Sequence, residues 1–293
     1  MTGHKVALIT DSTCDIPDRL LREYDIGVVP LMVLWGAEEL RDRVDIQPTD
    51  FYERLASDPV LPTTSQPSPA AFAQAVHHAQ QCGAEEAVIF TISSRMSSTY
   101  QSARQIERQV DIPVRIIDSK ANSMSLGWQV LAAAQAREAG GDATAMTAAA
   151  DTVRDNLVTL LYVDTLEYLH RSGRISGVAR WAGTALQLKP QLFVDHRTGE
   201  IKLATRTRTR SKALETLYQS FFQQVDVSRP LHVAVMHGQV PEEAQAIAER
   251  IRQEYAPREL FVALTSPVLG IHTGPGAIAL CGYSLDRDSD TTR

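Results

Sequence analysis

The chain has 293 residues, of which 44% are hydrophobic and 22% charged, a composition that excludes wholesale disorder and a length that points to two domains of roughly 100–200 residues rather than one core. Its formal net charge of −6 argues against nucleic acid or an anionic membrane surface as the main partner. Cys14, Cys82 and Cys281 are widely spaced with no C-x-x-C pair, no apolar run approaches a membrane span, and Met1–Lys5 carries no leader pattern, so a cytoplasmic protein with no integral membrane segment is expected.

In chain order, Lys5–Thr10 is rich in β-formers and predicts a strand. Pro17 suits the first turn of a helix whose apolar face is Leu20, Leu21 and Tyr24. Val28–Trp35 is a second apolar run, and Ser57–Pro69, with four prolines, reads as a loop. Phe72, Ala75, Val76 and Ala79 recur at helical spacing after Ser68-Pro69. A strand at Glu86–Ile92, a Ser-rich loop at Ser93–Thr99, a helix to about Gln109 and a strand at Val114–Asp118 follow. Helices are predicted at Ser123–Ala139 and Asp142–Asn156. Strands alternating with helices of this size imply βαβ units and a parallel sheet.

The second half reads differently. Leu157–Val163, Gln187–Val194 and Glu200–Thr205 are strand candidates, the last two joined by a hairpin turn at Asp195–Gly199. Helices at Ser211–Val225 and Pro241–Glu254 flank a strand at Leu231–His237. Val262–Thr265 is the last predicted strand, and Gly274–Leu280 opens the last predicted helix, with Pro275 at its first position and His272 beside its positive end. The expected fold is α/β in two domains: an N-terminal parallel-sheet domain over residues 1–164, a C-terminal domain with a mixed sheet over 165–285, and a frayed tail at 286–293.

Familiar cofactor signatures are missing. There is no G-x-G-x-x-G, no G-x-x-x-x-G-K-[ST], no G-x-S-x-G and no H-E-x-x-H, and His77-His78 point about 100° apart on a helix, so no metal is expected. Hydroxyls instead gather at predicted strand ends: Asp11-Ser12-Thr13, Thr63-Thr64-Ser65, Ser93-Ser94 and Ser97-Ser98-Thr99. In an open α/β sheet that edge is where ligands bind, and hydroxyls with free helix amides suit a carboxylate or phosphate. The same residues are also ordinary caps and turns. Cations come from His170-Arg171-Ser172-Gly173-Arg174 and from Arg206, Arg208 and Arg210, which share a face if extended; a charged edge strand explains the latter equally. Gly270–Gly276 (GIHTGPG) permits close approach of backbone to a ligand.

Six blocks in order carry a resemblance: Ile9–Asp15 (ITDSTCD), Thr63–Ser68 (TTSQPS), Ile92–Ala103 (ISSRMSSTYQSA), Asp118-Ser119, Leu169–Ser176 (LHRSGRIS) and GIHTGPG. Together they resemble the DegV family across nearly the whole chain. Ser98 stands where that family usually has Gly, and Arg171 where Lys or Gly is more usual. The resemblance implies a carrier rather than an enzyme. It would bind a long-chain fatty acid, need no cofactor, and present the carboxylate to a separate ATP-binding fatty acid kinase subunit that makes an acyl phosphate for phospholipid synthesis. It implies Thr64, Ser93 and His272 as head-group contacts, with Ser94, Thr273 and Gly274 beside them as further ligand-binding candidates. It also implies Arg174 and Arg208, with His272, as aids to phosphotransfer; which of Arg206, Arg208 and Arg210 serves is ambiguous by two residues. Leu31, Val33, Phe72, Leu126 and Leu186 are candidate apolar lining, with core packing as the competing role. Two other readings stay open: a self-contained hydrolase or transferase of a small anion using His272 beside a Ser or Thr nucleophile, and a lipid-sensing regulator.

Overall fold

The computed structural model describes residues 4–174 and 189–285. Its first elements are β1 (Val6–Asp11), α1 (Asp18–Glu23), β2 (Ile26–Val29), β3 (Met32–Trp35), β4 (Glu38–Arg41), α2 (Pro48–Ser57), β5 (Thr63–Ser65), α3 (Pro69–Gln81), β6 (Glu86–Thr91), α4 (Thr99–Arg104), β7 (Val114–Asp118), α5 (Ser123–Glu138), α6 (Ala143–Asn156) and β8 (Val158–Tyr162). They continue with α7 (Glu167–Arg171), β9 (Lys189–Asp195), β10 (Glu200–Thr207), α8 (Arg210–Phe222), β11 (Leu231–His237), α9 (Pro241–Tyr255), β12 (Glu259–Leu264), α10 (Pro267–Thr273) and β13 (Ile278–Ser284).

The fold is α/β, with a parallel and a mixed sheet. The parallel sheet has the order β2-β1-β6-β7, and its central strands β1 and β6 are buried on both faces, as a sheet covered on both sides requires. The mixed sheet runs β10-β9-β8-β13-β11-β12, with β11 and β12 parallel and the other pairs antiparallel. Alternation sorts its side chains: Ala234, Met236, Cys281 and Tyr283 join the core shared with the parallel sheet, while Val233, Val235, Ile278 and Leu280 pack under α8 and α9. Helix α5 lies in that shared core and is buried on nearly every side, which is why its sequence shows no polar stripe. Gly127 is needed there, because a Cβ would lie 2.6 Å from the Cys14 carbonyl. A small antiparallel sheet, β4-β3-β5, completes the architecture. We keep 1–164 and 165–285 as the proposed division of the chain, with β8 crossing over to pair in the mixed sheet.

Three expectations are corrected. Ser57–Pro69 is not all loop, because Thr63–Ser65 pairs with β3 as β5; the apolar run Val28–Trp35 itself divides at Pro30 between β2 and β3, which lie in different sheets. The last helix is α10, started by Pro267 and ended at Gly274, whose φ is +74°. The segment after it is β13, central in the mixed sheet, so His272 sits in the last turn of a helix and not at a positive end. Arg206, Arg208 and Arg210 do not share a strand face, since β10 stops at Thr207 and Arg210 opens α8. The predicted tail 286–293, Leu186, Gln187-Leu188 and Ile175-Ser176 lie outside the described residues.

The turn after β1 ties these parts together through three fully buried carboxylates. Asp11 accepts from the Ile92 amide at 2.7 Å and from Thr13. Asp15 accepts from the Ser123 hydroxyl at 2.6 Å and the Ser266 amide at 3.1 Å. Asp42 accepts from the Ser12 hydroxyl at 2.6 Å and the Val268 amide at 3.3 Å, and Ser12 in turn accepts from the Leu31 amide. Burial pushes Asp11 up to about 6 and Asp42 up to about 7, and raises Asp15 as well. Each therefore holds a proton more tightly folded than unfolded, where the value is 3.8. The stability this allows is complete below about pH 4 and is lost as pH rises through the folded values. Asp42→Asn, which keeps the shape and an acceptor for Val268, is expected to gain on the parent by an amount that grows between pH 4 and pH 8 to on the order of 3 kcal/mol. Thermal unfolding of both proteins at the two pH values measures it; a difference that does not change with pH contradicts it.

Candidate functional site

The carboxyl edge of the parallel sheet, the small sheet and α10 enclose a chamber of about 580 Å³, counted to its open mouth. Three wall residues, Leu31, Ile92 and Val268, are those whose amides the carboxylate knot holds. Leu161, Leu169 and Leu269 add to a mostly apolar wall. The chamber shares Asn122, Leu161, Leu269 and Thr273 with a deeper branch of about 430 Å³ that runs between α5 and the mixed sheet to Met236, Ala279 and Cys281. On the other side it shares Thr64, Arg174 and His272 with an outer cleft of about 690 Å³ edged by Leu55, Leu61, Tyr168 and Arg171.

Thr64 and His272 meet where chamber and cleft join. Thr64 is placed by β5, which pairs it with Val33 of β3, and His272 by the last turn of α10. Thr64 Oγ1 and His272 Nε2 are 3.2 Å apart, although 208 positions separate them in sequence. Nδ1 of His272 is buried and has no hydrogen-bond partner among the described residues. Burial, helped by the positive charge of Arg174, pushes the ring down to about 3. A neutral imidazole and a hydroxyl carry two polar protons between them, and one bridges the pair. Whichever tautomer holds, the other proton is left to donate. The pair is therefore uncharged and keeps one proton free to donate.

The remaining predicted residues divide. Thr273 lines the chamber, its hydroxyl donating to the Leu269 carbonyl at 3.1 Å. Gly274 lines none of these spaces; a Cβ there would lie 2.3 Å from the Tyr168 ring, so glycine lets Tyr168 close over the end of α10. Ser93 is buried outside the lining and donates to the Gly199 carbonyl at 2.7 Å. Ser94 gives both its amide and its hydroxyl to Asp118. Arg174 stands exposed at the mouth, donating to the carbonyls of Ser172 and Met96. Arg208 is exposed beyond β10, whereas Arg210 is held by Glu243 and Asp164. Of the apolar guesses Leu31 lines the chamber, while Val33, Phe72 and Leu126 pack in cores. Sequence reasoning missed Asp42, Met96, Asn122 and Thr159; a lone aspartate and scattered hydroxyls carry no spacing signal. Among the described residues no cluster of His, Cys, Asp and Glu has the form of a metal site, and no helix is long and apolar enough to cross a membrane.

Known proteins agree with this architecture. A family model described as "Uncharacterised protein, DegV family" matches residues 5–284. A DegV domain-containing protein of Streptomyces coelicolor is 34% identical over 281 residues, covering 96% of this chain and 98% of its own. A solved DegV family protein from Thermus thermophilus, described for its fatty acid binding, superposes with a TM-score of 0.87 at 31% identity, over 96% of this chain and all of the other. A stearic acid-binding protein from Eubacterium ventriosum superposes with a TM-score of 0.83 at 28% identity, over 96% and 98% of the two chains.

The ring nitrogens of His272, followed by 15N NMR without ligand, are expected to stay those of a neutral imidazole from pH 8 to pH 5, because its proton is bound only near pH 3. A transition inside that window contradicts the buried, uncharged donor pair.

Proposed function

We propose, from the premise that this chain belongs to the DegV family, that it binds a long-chain fatty acid and presents the carboxylate to a separate kinase subunit for ATP-dependent acyl phosphate formation. The observation that carries the reading is the Thr64–His272 pair standing at one end of an apolar chamber that continues into a deeper apolar branch. A fatty acid has two ends with opposite needs. Fifteen methylenes leaving water bring about 12 kcal/mol at ~0.8 kcal/mol each, part of which is offset by ordering the ligand. The carboxylate loses its hydration and needs donors that were themselves waiting for an acceptor. One unengaged proton on the Thr64–His272 pair answers that need without a buried counter-charge, and Thr273 and Gly274 fix the end of α10 around it. Ser93 and Ser94 belong to the same reading as the loop that shapes the chamber at Ile92, Met96 and Ser97.

Arg174 is the cation we assign to the phosphoryl group, since it edges both chamber and cleft and, among the described residues, its donors reach only carbonyls. Arg208 is assigned with it to the surface that meets the kinase, because Arg210 is engaged by two carboxylates. Guanidinium suits phosphate through its forked donors. A self-contained hydrolase would use Thr64 as nucleophile and His272 as base, but a working base is turned by a third group, and Nδ1 of His272 has none among the described residues.

Thr64→Ala and His272→Ala are each expected to weaken binding of hexadecanoic acid by about 10- to 100-fold, the effect of one hydrogen bond to a charged group, in calorimetric titration. Unchanged affinity in both refutes the head-group assignment. Arg174→Ala with Arg208→Ala is expected to leave hexadecanoate binding near the parent value and to abolish acyl phosphate formation when ATP and the kinase subunit are supplied. Full product from the double variant refutes the phosphotransfer role, and product from the parent without the kinase subunit refutes the carrier role.

A further inference from the structure

The deep branch passes a threonine, Thr159 of β8, at the point where that strand pairs with Cys281 of β13. A hydroxyl in an alkyl-binding wall is a liability, and the structure engages it from behind. Thr159 Oγ1 lies 2.9 Å from Nε2 of His196 and is hydrogen-bonded to Ser125 Oγ. Nδ1 of His196 lies 3.2 Å from the Lys120 carbonyl. A carbonyl only accepts, so Nδ1 carries the proton and Nε2 is the acceptor. The direction of the whole chain follows: Ser125 donates to Thr159, Thr159 to His196, and His196 to the Lys120 carbonyl. Burial pushes His196 down to about 4, so the ring keeps Nε2 free to accept at neutral pH. His196 and Ser125 line neither the chamber nor the branch. His196 sits instead at the tip of the β9–β10 hairpin, which is pinned to the parallel-sheet half by Ser93 on the Gly199 carbonyl and by Arg95 on Glu200 at 2.7 Å. Gly199 has a φ of +76°, and a Cβ there would lie 2.3 Å from Ser93 Oγ, so the tip docks closely only with glycine in that place.

We propose that His196 is a positioning residue that sets chain-length preference: by taking the Thr159 hydroxyl proton from outside the cavity, it leaves Thr159 to present its methyl to the deep branch and so fits that branch to the distal methylenes of a long alkyl chain. The inference rests on the fatty acid reading of the same cavity. Without the acceptor, the Thr159 proton turns into the branch, stays buried and unpaired, or passes to Ser125 Oγ, whose own proton then loses its acceptor; each leaves an unplaced hydroxyl proton at the branch wall, which disfavours an alkyl chain there. A short acid held in the chamber does not reach the defect.

The test titrates decanoic and hexadecanoic acid against the parent, His196→Phe, His196→Gln and the double variant Thr159→Val with His196→Phe. Hexadecanoate affinity is expected to fall about tenfold in His196→Phe while decanoate affinity stays within about twofold. His196→Gln, with an acceptor and a donor of its own, keeps the parent's ratio, and the double variant recovers it because valine has no hydroxyl to place. Equal loss for both acids, or a double variant as weak as His196→Phe, overturns the proposal. Where His196→Phe alone does not fold, the double variant decides: retention of the long-chain preference without His196 supports the proposal, and its loss refutes it. A parent that binds neither acid refutes the fatty acid reading itself, whereas binding of both acids with a ratio indifferent to His196 refutes only the inference.

Discussion

The fold depends on one buried interaction, the set of carboxylates of Asp11, Asp15 and Asp42 around the turn that follows β1. Carboxylates in a core are costly unless every lone pair is answered, and here backbone amides answer them directly or through a hydroxyl: Ile92 on Asp11, Ser266 on Asp15, Val268 on Asp42 and Leu31 through Ser12. Arg43 supplies positive charge, 3.9 Å from Asp15 and 2.9 Å from Asp18. The amides so held belong to three segments distant in sequence, and all three form the cavity wall. The same interaction that costs stability thus aligns the end of β6, the start of β3 and the start of α10 around one space.

That alignment explains why the chemistry at the mouth is neutral. Helix α10, anchored at its start by Asp15 and Asp42, carries His272 in its last turn to Thr64. The carboxylates lie behind the wall, and the pair in front has one proton to offer. An anion entering the chamber therefore meets a donor at the Thr64–His272 junction, and the cation Arg174 only at the mouth. Farther in, Ser125, Thr159 and His196 hydrogen-bond one another, so the Thr159 hydroxyl of the deep branch is engaged by the protein. In the proposed reading the two ends of the cavity follow one rule in opposite senses: an unengaged donor for the carboxylate, and an engaged hydroxyl, that of Thr159, beside the alkyl chain.

Much of this was readable from residue pattern. The parallel sheet follows from the alternation of strands with helices and α3 from its periodicity, and Ser68 and Asp142 cap their helices as their positions suggest. Thr64 and His272 were identifiable through the motif resemblance, and the structure brings them together. The miss at Gly274–Leu280 has a physical cause: glycine and proline mark both the end of α10 and what looked like the start of another helix, while β13 owes its strand form to pairing on both edges by β8 and β11. Helix α2 was overlooked although Pro48, Phe51, Tyr52 and Leu55 have helical spacing, and β4 although Gly36, at φ +63°, marks its hairpin turn. Ser93 shows the limit of reading hydroxyls at strand ends. Sequence places it at the right edge, but only the folded hairpin shows its proton committed to the Gly199 carbonyl. Asp11-Ser12-Thr13 is the same lesson with a different result, since these groups build the wall from behind.

The most direct measurement is a crystal structure of the protein with 16-bromohexadecanoic acid, the bromine located by its anomalous scattering. The carboxylate should lie within hydrogen-bond distance of Thr64 Oγ1 and the His272 ring, and the bromine in the deep branch near Thr159 and Cys281. A bromine at the Arg174 mouth, or a carboxylate held anywhere other than the Thr64–His272 pair, contradicts the account.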